Sequence, residues 1–217
     1  MKYHIQTTPI WDAFKARDGC PICEIYRVSS DRLVSQYLNE AVMESDYRIR
    51  VNKYGFCKHH IEKLYCGENK LGLALQLSTR TDFMLENLKL TTSSKGAKKE
   101  AQKLKTLTST CVICLEVDEM MERYAKTISQ MFLNEIEFQT ELKQSTGFCF
   151  KHYVSLLEHT SHSGKSETEY LNILDDVMRN NLTKANNMVK RFCNSFDHKS
   201  IERGDPNAVK KMVEKYL

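Results

Sequence analysis

The sequence predicts an all-α fold, a duplicated helical repeat with two zinc-knuckle-like Cys3His sites, on three observations. Apolar residues recur at three- and four-residue steps along most of the chain. No convincing run alternates as a strand would, and the 217 residues include only 8 Gly and 3 Pro. The same Cys/His pattern also occurs twice, which is the mark of an internal repeat.

The elements follow in order. Thr8 before Pro9, with Ile10, Trp11 and Phe14 behind, predicts an opening helix, and Trp11 reads as a core or metal-adjacent packing residue. After Cys23 a stripe of Ile25, Val28, Leu33, Tyr37, Leu38, Ala41 and Val42 predicts a long amphipathic helix. Leu71 to Leu90 predicts another, with Gly67 as the break before it. In the second copy, Leu115, Met120 or Met121, Tyr124, Ile128, Met131, Phe132 and Ile136 make a similar stripe. Tyr170 to Phe192 follows after a break at Gly164, and Asp205-Pro206 starts a last helix carrying Val209, Met212, Val213, Tyr216 and Leu217. The domain organisation read from this is a first repeat 1–92, a Lys-rich linker 93–107, a second repeat 108–200 and a C-terminal helix 201–217.

Charge narrows the partners. Residues 1–94 carry 13 Lys+Arg against 11 Asp+Glu, residues 95–108 carry 5 against 1, and residues 109–217 carry 14 against 16. The formal net charge of +4 is therefore matched by one short segment, Lys95 to Lys105, rather than by a basic folded face. A solvated linker is the leading reading of that segment, and a phosphate-contacting arm is the alternative.

The start of the chain shows no apolar core or cleavage site of a secretory leader. The longest strongly apolar stretch, Leu71 to Leu77, is far short of the roughly 20 residues that span a bilayer. A cytoplasmic location with no membrane partner is expected, and grouped thiols in a reducing compartment point to metal ligation rather than disulfides.

Those thiols carry the chemistry. Cys20-Pro21-Ile22-Cys23 recurs as Cys111-Val112-Ile113-Cys114, offset by 91 residues. Gly55-Phe56-Cys57 with His60 recurs as Gly147-Phe148-Cys149 with His152, offset by 92. A CxxC pair can aim two thiolates at one ion, and a Cys and His three apart share one side of a helical turn. Each half thus supplies three Cys and one His, a structural zinc set. The expected sites are Cys20, Cys23, Cys57, His60 and Cys111, Cys114, Cys149, His152, holding two structural zinc ions. Spacing cannot fix which CxxC meets which Cys-x-x-His, so exchange of ligands between the halves stays open. An iron–sulfur cluster and free-thiol redox chemistry are the alternatives to zinc. Gly55 and Gly147 allow a sharp turn into the ligand helices, and Phe56 and Phe148 can pack beside the metal.

Cys66 and Cys193 have no repeat counterpart and read as ordinary buried or half-buried thiols. His59 aligns with Lys151, which argues against a ligand role. His159 and His162, with His4 and His198, read as polar contacts before they read as a third site. No phosphate loop, nucleophile elbow or His-Glu-x-x-His motif is present.

With Met1-Lys2-Tyr3-His4, Trp11-Asp12, the run Asn69 to Leu75 and the paired motifs above, the chain resembles an uncharacterised bacterial domain-of-unknown-function family with doubled CPxC and GFCxxH motifs. The resemblance covers nearly the whole chain and implies the metal sites without implying a reaction. Val112 stands where the first motif has Pro21. The functional expectation is a zinc-binding helical protein that serves as a protein-interaction or scaffold module. Enzymatic activity stays open and is weighed toward none. The alternatives are nucleic-acid binding through the Lys-rich segment and a thiol-based redox or metal-responsive role.

Overall fold

The structure is a computed structural model that describes residues 7–197 and 204–216. His4, His198 and the first four residues of the resemblance lie outside the described residues. Every regular element among the described residues is helical, so the all-α expectation holds for them.

The chain forms two compact units, one from residues 1–27 and 121–217 and the other from 28–120. Neither unit coincides with one half of the sequence: one is drawn from both ends of the chain and the other from its middle. The divisions fall inside two long helices, α2 (Pro21–Leu38) and α7 (Val112–Asn134).

In the unit made from both ends of the chain, α1 (Thr8–Ala16) is started by the Thr7 carbonyl, which accepts from Ile10 N at 3.1 Å and Trp11 N at 3.0 Å. Pro9 follows in the first turn, where its missing N–H costs nothing. The buried face of α1 meets α8 (Ile136–Lys143) in an aromatic cluster. Trp11 stands edge-on to Phe138 at 5.5 Å, and Phe14 contacts Phe138 at 5.1 Å and Phe148 at 6.3 Å. Trp11 is thus a core residue. Helix α10 (Glu167–Asn194) packs against α8, α9 (Phe150–Glu158), α11 (Asn207–Tyr216) and a 3-10 segment, Thr160–Ser166. Its inward residues are Tyr170, Ile173, Leu174, Val177, Met178 and Ala185, at helical spacing.

In the unit 28–120, a 3-10 turn at Glu40–Met43 leads from α2 to α3 (Ser45–Tyr54), followed by α4 (Lys58–Cys66), α5 (Lys70–Asn87) and α6 (Ser94–Thr108). Its core gathers Leu33, Tyr37, Leu38, Val51, Leu64 and Leu73 with Ile113 and Val117. Tyr37 is fully buried against Tyr47 and Phe56, and its hydroxyl donates to Glu116, which also pairs with Arg50 at 2.8 Å.

Three expectations are refined. The stripe after Cys23 is not one helix to Val42: α2 stops at Leu38, and Ala41 and Val42 are buried from the 3-10 turn. Likewise α7 stops at Asn134, extended Glu135 breaks it, and Ile136 begins α8. The Lys-rich segment, read as a solvated linker, is helical. Ser93 caps it by accepting from Gly96 N at 3.1 Å, and none of its residues is buried. A solvated helix and a solvated linker share one composition, and the cap that separates them is a single Ser.

Candidate metal centres

All four Cys-x-x-Cys/His pairs sit on helix N-termini. Cys20 and Cys111 immediately precede α2 and α7, and their carbonyls accept from Glu24 N and Leu115 N, the first bond of each helix. Cys23 and Cys114 lie in the first turns that follow. Each CxxC is therefore the opening of a helix rather than a separate knuckle turn. Cys57 and Cys149 are the N-cap residues of α4 and α9, with nearly identical backbones (φ −74°, ψ 166° and φ −75°, ψ 161°), and His60 and His152 stand three residues on.

Two glycines set up those caps. Gly55 (φ +64°) and Gly147 (φ +80°) occupy the left-handed region two residues before the cap Cys. A Cβ on Gly147 would stand 2.7 Å from Asn181 Cβ, and one on Gly55 would stand 3.2 Å from Arg80 Nη2. Threonines tie the pairs together within each unit: Thr146 Oγ1 donates to the Gly19 carbonyl, and Thr110 Oγ1 donates to the Tyr54 carbonyl at 2.9 Å.

The groups that assemble are crossed with respect to the sequence halves. One set is Cys20, Cys23, Cys149 and His152, and the other is Cys57, His60, Cys111 and Cys114. The grouping of Cys20 and Cys23 with Cys57 and His60, and of Cys111 and Cys114 with Cys149 and His152, is thereby corrected. The physical reason is burial: each compact unit takes one CxxC opening and one cap-Cys/His opening from opposite halves of the chain.

Within each set the donor atoms lie within 4.8 Å of one another. In the first, His152 Nδ1 is 3.2 Å from Cys23 and Cys149 Sγ and 3.6 Å from Cys20 Sγ, and Cys23 and Cys149 Sγ are 3.6 Å apart. In the second, His60 Nδ1 is 3.3 Å from Cys57 and Cys111 Sγ and 3.4 Å from Cys114 Sγ, with Cys57 and Cys114 Sγ 3.8 Å apart. These sulfur separations are far beyond the roughly 2.05 Å of a disulfide, and all eight cysteines are free.

Electrostatics fits a cation at the centre of each set. Hydrogen bonds to Cys149 and Cys20, together with burial, push the Cys23 thiol up. Burial and the neighbouring Cys111 and Cys57 push Cys114 up. Thiols this crowded resist ionising together, and a divalent ion among them reverses that. Two helix N-termini point into each set, which adds positive potential for thiolates. The histidines differ. Burial, with the charges of His59 and Lys63, lowers His60 to about 4, so it stands neutral. Burial also works against charge on His152, but the hydrogen bonds it donates to the Cys149 and Cys20 sulfurs, and the charge of those sulfurs, lift it to about 9. Its partner Cys149 is held down by hydrogen bonds from Cys20, Cys23 and His152 against the effect of burial. A metal ion bound here takes the place of that proton on the imidazole, so binding by this set releases protons.

Ser30 was not legible as part of a site. Fully buried on α2, it meets His60 Nε2 at 3.1 Å, so Nδ1 faces the sulfurs and the far nitrogen is anchored, as metal-facing imidazoles require. Nothing but its place on the buried face of α2 could have pointed to it.

The remaining candidates fall outside both sets. Cys66 and Cys193 are exposed rather than buried, because each stands on the outer face at the end of its helix. His59 stands edge-on to His60, ring centroids 5.2 Å apart, without joining the donors. His159 makes a polar contact: Nε2 pairs with Glu122 at 2.8 Å and Nδ1 meets the Ser155 carbonyl at 2.8 Å.

Comparison with known proteins gives kinship without chemistry. The model of a family of unknown function (DUF6062) matches residues 1–215. An uncharacterised 23.9 kDa protein in the xynA 3'region of Caldicellulosiruptor sp. (strain Rt8B.4) is 23% identical over 184 residues, 85% of this chain and 85% of that one. No solved structure matches.

Proposed function

We propose, for a chain that belongs to this family of unknown function, a non-enzymatic role as a zinc-stabilised helical protein that serves as a protein-interaction or scaffold module. Each set of three thiols and one imidazole holds one structural zinc ion: Cys20, Cys23, Cys149 and His152 the first, Cys57, His60, Cys111 and Cys114 the second. One observation carries the reading. With Zn–S about 2.3 Å and Zn–N about 2.0–2.1 Å, a tetrahedron has S–S edges of about 3.8 Å and S–N edges of about 3.6 Å. The S–S separations of 3.6 and 3.8 Å and the S–N separations of 3.2 to 3.6 Å match a cage for one ion. A multinuclear iron–sulfur cluster, whose thiolates bind different irons, needs its sulfurs spread further.

Four protein ligands leave no position for a substrate or an activated water, which supports a structural role. Bound zinc supplies cross-linking: it ties two helix openings whose ligands are 126 or more residues apart in the first set (Cys23 to Cys149), and 51 or more in the second (His60 to Cys111). The matching backbones of Cys57 and Cys149 further support reading the chain as a duplicated unit, 1–92 and 108–200 around 93–107, whose copies exchange half of each site.

Metal analysis of the protein purified without added zinc tests this. Two zinc ions per chain are expected, and fewer than one overturns the reading.

A further inference from the structure

In the unit formed by residues 1–27 and 121–217, a cavity of about 350 Å³ opens between α10, α11 and the loop that enters the first metal centre. We propose that it binds a small organic anion carrying a phosphate or carboxylate group.

The cations come from separate elements. Lys184 stands on α10, Lys211 and Lys215 stand one turn apart on α11, and Arg17 ends α1. Arg17 is already committed, donating to the Gln144 carbonyl at 2.8 Å and pairing with Glu141 at 3.1 Å. The three lysines are not committed in this way. Lys215 is only 9% exposed, yet its Nζ donates to the Thr146 carbonyl at 3.2 Å and, among the described residues, meets no carboxylate within 4.0 Å. A largely buried lysine whose ammonium meets only a neutral carbonyl keeps an unbalanced charge at the cavity wall, and an oxyanion in the cavity supplies its counter-charge. Lys184 and Lys211 likewise form no ion pair among the described residues and flank the same space.

The rest of the lining defines the ligand's skeleton. Ala185 and Met188 offer α10's apolar surface to carbon atoms. Asp18 and Glu214 disfavour a bare polyanion and accept from hydroxyl or amino groups. The volume suits a molecule at the small end of ligand sites, which run from roughly 300 Å³ upward. Gly19, on the wall, directly precedes Cys20, so the loop is held in shape by the same segment that supplies the metal pair.

The test is isothermal titration of the full chain, its zinc content measured in the same preparation, with glycerol 3-phosphate, inorganic phosphate and lactate at constant ionic strength. Saturable binding of glycerol 3-phosphate or lactate is expected, and the comparison of the two identifies the anionic group. Inorganic phosphate should bind more weakly than glycerol 3-phosphate. Lys184→Ala and Lys211→Ala should each weaken binding about tenfold, the effect of losing one charge-assisted contact. Lys98→Ala, on α6 in the other unit, should leave it unchanged. No saturable binding to any of the three probes overturns the proposal, as does equal weakening by Lys98→Ala. Binding by protein that proves to lack zinc would retain this site while refuting the metal reading, so the two claims fail separately.

Discussion

At the scale of single residues, the two donor sets rest on groups that have no slack. Gly147 is the sharper case, because it combines φ +80° with Asn181 Cβ only 2.7 Å from where its own Cβ would stand. Gly147→Ala is expected to cost about 1–3 kcal/mol from backbone strain alone, and more from the clash. Gly55→Ala meets only the movable end of Arg80 and should cost less. Thermal unfolding of the two variants ranks them; the reverse ranking contradicts the packing described. His60 gives a pH dependence with a definite sign. Its folded value, about 4, lies below the ordinary 6.5, so the fold holds it neutral and that stability is present above about 6.5. As pH falls from 6.5 toward 4 the unfolded chain takes up the proton first, and protons also compete with zinc for the imidazole. Loss of helicity together with zinc release is expected across that window, followed by circular dichroism and a zinc-sensitive dye. Full zinc retention at pH 4 refutes it.

At the scale of elements, the helices of unit 28–120 are joined by polar caps as well as apolar stripes. Arg80, on α5, donates to the carbonyls of Asn52, near the end of α3, and Leu107, near the end of α6, the latter at 2.7 Å. These are carbonyls that a helix leaves without partners in its last turn. Arg80→Met, which keeps the apolar stem, should destabilise this unit by about 1–3 kcal/mol and speed amide exchange at the C-terminal turns of α3 and α6. Arg80→Lys should not restore both, since one ammonium lacks the fork that reaches two carbonyls. Unchanged exchange in Arg80→Met removes Arg80 from this role. The contrast shows what the sequence made legible. The buried faces of α1, α2, α7 and α10 were readable because Ile10, Leu33, Ile128 and Tyr170 sit in stripes whose period is that of a helix. The ends were not, because Leu38 and Asn134 are stopped by backbone geometry at Asn39 and Glu135 that no Pro or Gly announces. Helix α6 escaped for the opposite reason: a helix without a buried face has no stripe to read.

At the scale of the whole molecule, all eight residues of the two candidate sets were legible but their partition was not. Local spacing specifies Cys20 with Cys23 and Cys57 with His60, because three residues is one helical turn. It cannot specify which turn meets which, since that is decided by the long-range packing that buries each unit. The crossed arrangement has a consequence that within-half pairing lacks. Cys20→Ser and Cys149→Ser remove ligands from one set, so each single variant and the double variant should all lose one zinc per chain. Cys20→Ser with Cys57→Ser strikes both sets and should lose two, with a larger fall in helicity because structural zinc binding is coupled to folding. Pairing within the sequence halves reverses the two double variants: Cys20→Ser with Cys57→Ser would then keep one zinc, and Cys20→Ser with Cys149→Ser would keep none. The same logic applies to the isolated segment 1–92, which carries Cys20, Cys23, Cys57 and His60 but only half of each crossed set. It should bind zinc far more weakly than the full chain in competition with a chromophoric chelator. Equal affinity would show that the halves can close their own sites, and would overturn the crossed pairing as the arrangement that zinc selects.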